Sequence, residues 1–239
     1  MKMAADNALV NDMSKLGDLC QNVRDGLGTV CNEVNKSMKD FRDRMHEICA
    51  DPWMASMSVG DDGMGFSGMV NDMLYKFDKN INTNLNVMVN GIYGSMQIVA
   101  RGHGFTEAEL PQNKRKYVVA ISQLDPFFSS LPSGGVGIRD QEHAVEMAED
   151  AIKQLSSELT KCKDTMKSVI QSNLNSAFQE ETIQIAANKL GDNVIGQIEK
   201  GVYNLIATVK KFVSAHVQHL VAAKNAAASH LDEIGSGTN

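Results

Sequence analysis

Apolar residues recur along this chain in four long stripes, each spaced by threes and fours. The first runs Leu9, Met13, Leu16, Cys20, Val23, Leu27, Val30, Val34, Met38, Phe41, Met45 and Ile48, a heptad-like seam in which two steps of four meet at Val34. Such spacing keeps one face of a helix against its neighbours over many turns. The second stripe is Val70, Leu74, Phe77, Ile81, Leu85, Met88, Ile92, Met96 and Val99, close to the about 3.6-residue period of a straight helix. The third takes Val145, Ala148, Ile152, Leu155, Leu159, Cys162, Met166 and Val169. The fourth takes Ile183, Ala187, Leu190, Val194, Ile198, Val202, Leu205, Val209, Phe212, His216, Leu220 and Ala223. Four amphipathic helices are expected, and no segment alternates with the two-residue period of a half-buried strand.

The interruptions fall between the stripes. "ADPW" at 50–53 stops the first helix, since Pro52 disfavours helix at Asp51 and lacks a backbone donor. "ARGHGF" at 100–105 ends the second with glycines, and "LPSGGVG" at 131–137 precedes the third, for which Asp140 is a candidate N-cap. Between the third and fourth stripes, "QSNLNSAFQEET" at 171–182 breaks the pattern with an Asn and Ser cluster around Phe178. The expected fold is all-α: two long antiparallel helical hairpins packed as an elongated four-helix bundle. Hairpin 1 covers 1–101 with its bend at 50–68. Hairpin 2 covers 140–239 with its bend near 172–182 and a flexible C-terminal tail. The connector, 102–139, is irregular apart from a short helix expected in "KRKYVVAISQL".

Composition narrows this picture without changing it. Only four prolines and 5% aromatics, with fourteen methionines in 239 residues, suit long helices with adaptable packing better than a sandwich or barrel. A net charge of −6 argues against a nucleic-acid partner, which would need a concentrated basic surface; the one basic cluster, "NKRKY" at 113–117, is short. The N-terminus has no apolar core of signal-peptide length, and no run approaches the roughly 18 apolar residues of a membrane span. The expected location is the cytoplasm at synthesis, with any secretion following a route that needs no cleaved signal.

No catalytic constellation is expected, nor any cofactor or metal. Cys20, Cys31, Cys49 and Cys162 form no Cys-x-x-Cys pair, and Cys20 and Cys31 lie roughly 16 Å apart along one helix, too far for a mutual disulfide. They read as small buried hydrophobes. His216 and His219 are one helical turn apart, which is metal-compatible spacing, but His216 falls on the apolar stripe and reads as a seam residue beside a solvated one. "SGGVG" and "GHGF" lack the strand, helix and Lys-Ser/Thr pair of a phosphate cradle. In "GFSGM", Ser67 has Gly65 two before it but Met69 two after, so the serine-nucleophile pattern is incomplete.

Two aromatic clusters remain as candidate partner-binding sites. Trp53, the only tryptophan, sits at the first bend, where Gly60, Gly63 and Gly65 would let Phe66 fold back over the indole. It is read either as a plug for the hairpin end or as an exposed anchor. In the connector, Phe127, Phe128 and Leu131 lie in turn-rich sequence and either pack onto the bundle or form an apolar tip.

A helical hairpin with a tryptophan at its bend, no signal peptide and an acidic surface resembles the WXG-motif, early-secreted-antigen-like substrates of type VII secretion systems. In that family, two hairpins pack antiparallel as a four-helix bundle, and the bend carries Trp-x-Gly. The resemblance covers residues 4–101 best and 140–233 more loosely. Here the bend reads Trp53-Met54-Ala55, the second bend has Phe178 in place of a tryptophan, and Tyr203 is followed by Asn204, Leu205, Ile206 and Ala207, not by the family's Tyr-x-x-x-Asp/Glu tail. The resemblance implies a non-enzymatic interaction protein: a secretion substrate, chaperone or effector-associated protein, in which one chain supplies the bundle that two usually build. Its partner would be another protein or a second copy bound through helical faces. The alternatives are a pore-forming or membrane-active protein that inserts the apolar loop 127–136, aided by "NKRKY" on anionic lipid, and a phage or cell-envelope structural subunit.

Overall fold

The computed structural model describes residues 2–50, 58–59, 64–106, 137–138 and 143–236. Four helices carry almost all of them: α1 (Lys2–Ile48), α2 (Phe66–Gly102), α3 (Ala144–Leu174) and α4 (Glu181–Ser236). The protein is an all-α helical bundle, as the stripes predict. Four two-residue strands complete the described elements. β1 (Cys49–Ala50) pairs antiparallel with β4 (Gly137–Ile138), and β2 (Ser58–Val59) with β3 (Met64–Gly65). These short ladders, absent from the sequence expectation, pair backbone groups at the end of α1 and just before α2. The short helix expected in the connector and the Asp140 N-cap lie outside the described residues.

The helices divide into two compact units. The first is built from α1 up to Val34, α2 from Tyr75, and the stretch Thr160–Val202, which contains the α3–α4 bend. Its core is a continuous apolar set that includes Leu9, Leu16, Val23, Ile81, Leu85, Ile92, Met166, Phe178, Val194 and Ile198. Here α2 and α4 run antiparallel and approach closely. A Cβ on Gly201 would run into the Phe77 ring, and one on Gly91 would lie 2.6 Å from Leu190 Cδ1, so glycine at these positions lets the neighbouring side chain reach the helix backbone. α1 meets α3 in the same manner, with Gly26 against Val169, and α3 meets α4 with Gly191 against Leu174. Polar groups flank these contacts: Asn80 Nδ2 donates to Gln197 Oε1 at 3.3 Å, and Lys167 Nζ lies 3.4 Å from Glu199.

The second unit is built from Asn35–Leu74, α3 up to Leu159, and α4 from Tyr203. Met38, Phe41, Met45, Val70, Leu74, Ile152, Leu155, Leu205, Val209, Val213 and Val217 are buried in it. Ser37 Oγ donates to Glu158 across α1 and α3 at 3.3 Å.

The helix ends follow from local chemistry. α2 closes on a left-handed glycine: Gly104 has φ +86°, its N–H donates to Arg101 O, and Phe105 N–H reaches back to Ala100 O. That pair of bonds satisfies carbonyls left open at the helix end. α1 ends at Ile48, four residues ahead of Pro52.

Candidate functional site

Four of the five residues singled out from sequence, Trp53, Phe127, Phe128 and Leu131, lie outside the described residues, as does the packing proposed between Trp53 and Phe66. Phe66 is the first residue of α2. The best-defined constellation is at the other bend, residues 175–180, and it draws residues from three helices.

α3 ends at Leu174, and the chain reverses through Ser176, whose φ of +56° is left-handed. Gln184, from the first turn of α4, spans the bend: its Oε1 accepts from Phe178 N–H at 2.9 Å and its Nε2 donates to Leu174 O at 2.8 Å. Glu180 caps α4 by accepting the Ile183 N–H at 2.8 Å. Two donors just ahead of this helix are met from α1. Asp12 Oδ1 accepts from Gln179 N–H and Oδ2 from Glu180 N–H, both at 2.8 Å. Asp12 has no exposed surface. A buried carboxylate is tolerated there because two backbone donors and the positive end of the α4 dipole face it. One turn along α1, Lys15 Nζ donates to Ala177 O at 3.4 Å. Phe178 is buried. The sequence marks Phe178 only as the aromatic at the second bend; the plug reading concerns Trp53, which lies outside the described residues. Asp12 itself was missed: it sits one residue before Met13 of the first stripe and carries no signal that separates it from a solvated acid.

Elsewhere in the first unit, Cys31 of α1 and Cys162 of α3 are buried free thiols, as is Cys20. Burial pushes the Cys31 thiol up to about 12, with Asp78 and Cys162 nearby adding to the effect. Burial likewise pushes Cys20 up to about 11, partly opposed by Arg24. Thiols held this far from the thiolate form are poor nucleophiles and poor metal ligands. The Asp78 carboxyl on α2 is also raised by burial, against a hydrogen bond from Asn82 Nδ2 at 3.3 Å. Among the described residues no group of three or more His, Cys, Asp or Glu side chains could hold a metal ion. His219 is exposed on α4.

In the second unit a groove of about 410 Å³ is lined by Glu149, Ile152, Lys153, Ser156, Lys210 and Ser214 between α3 and α4. Its charges are of both signs, and Lys153 is engaged by Asp150 at 3.0 Å. Beyond it α4 continues as far as Ser236, with each of residues 222–236 exposed. No described helix is long and apolar enough to cross a membrane. In comparisons with known proteins, no family model, no curated protein and no solved structure matches the chain.

Proposed function

We propose that this chain is a non-enzymatic helical interaction protein related to type VII secretion, acting as a substrate, a chaperone or an effector-associated protein. The observation that supports the reading best is the grip of α1 on the α3–α4 bend through Asp12 and Lys15. Those part-buried contacts tie the first hairpin to the second through charged side chains, so one polypeptide supplies an assembly that the resembling family makes by pairing hairpins from two chains. The resemblance at the first bend, Trp53 included, supplies the export part of the reading. A protein partner would then bind the outer faces of the helices, because the inner faces are already occupied within the chain.

The export part is tested by following the protein in culture medium. Release by the intact source strain, and retention in cells when an FtsK-like secretion ATPase encoded near the gene is deleted, is the expected result. Equal release by both strains, or a gene neighbourhood with no such ATPase, overturns it.

A further inference from the structure

We draw no further inference here: the strongest candidate, the outer face of α2 between Asn80 and Ala100, a stretch with no Asp, Glu, Lys or Arg on which Val87 and Ile98 are exposed, carries nothing because nothing in the structure shows what covers it.

Discussion

The two ends of α4 are held in opposite ways. At residues 175–180, where the chain enters the helix, side chains from elsewhere hold the backbone: Asp12 accepts from Gln179 and Glu180 N–H, Lys15 donates to Ala177 O and Gln184 accepts from Phe178 N–H, while Glu180 caps the helix at Ile183. Phe178 is buried beneath them. At residues 222–236 the helix has its own ladder and an apolar stripe that the described fold leaves exposed. The first end is ordered by tertiary contacts that exist only in the folded chain. The second is exposed and rich in alanine, whose helix propensity contributes little by itself. Local stability should therefore fall steeply from the start of α4 to its end.

The largest break in that contrast is Phe178→Ala. Emptying a buried aromatic site costs about 3–5 kcal/mol, readable as a lowered urea midpoint. The matching truncation at the other end, Leu231→Ala, should stay within about 0.5 kcal/mol when measured at dilution. Asp12→Ala comes next. It strands two buried N–H donors and should cost about 2–4 kcal/mol, measured in the same way. A loss below about 0.5 kcal/mol would mean that water replaces the carboxylate at the bend.

Glycine substitutions sharpen the comparison between packed and open helix surface. Gly201→Ala drives a methyl into the Phe77 ring and should destabilise by about 1–3 kcal/mol. Gly94→Ala, with nothing within 4 Å of the added methyl, should instead stabilise by about 0.5–1 kcal/mol through helix propensity. The same change thus has opposite signs on one helix bundle, and thermal melts separate the two.

The smallest effect is a pH dependence. Burial raises the Asp78 carboxyl above its ordinary range, so the folded state holds that proton more tightly than the unfolded chain does. Its contribution is fully favourable below the unfolded carboxyl value and is lost as pH rises through the folded one. Asp78→Asn removes the titration. The variant should gain on the wild type as pH climbs from about 4 towards neutrality and show no such gain below that window. A difference in urea midpoint that is flat with pH would refute the assignment.

Much of this was legible from hydrophobic spacing. The four helices lie where the stripes put them, and "ARGHGF" and "QSNLNSAFQEET" mark real ends. The stripes drift only near their ends. Ile170 and Ala100 are buried where Val169 and Val99 were expected to be, and Val213 is buried beside a half-exposed Phe212. A strict alternation of threes and fours averages 3.5 residues per turn, whereas a straight helix has 3.6, so a long stripe rotates off its face by about 20° per heptad. Asp12 was not legible, because a buried capping acid and a solvated acid look alike until the helix end it serves is known. The β1–β4 and β2–β3 pairings escaped for a similar reason: two residues are too few to show a period. Trp53, with residues 51–57 and 60–63 of the first bend, lies outside the described residues.

The claim that α1 locks the entry to α4 is tested most directly by hydrogen exchange resolved to single amides. Gln179 and Glu180 precede the first turn of α4 and would exchange rapidly in an open turn. With Asp12 bonded to both, they should be protected to a degree close to that of core amides such as Val194 and Ile198, while amides of residues 222–236 exchange by local opening in dilute protein. In Asp12→Ala the protection at 179 and 180 should disappear while that at 194 and 198 persists. Rapid exchange at Gln179 and Glu180 in the wild-type protein would contradict the account.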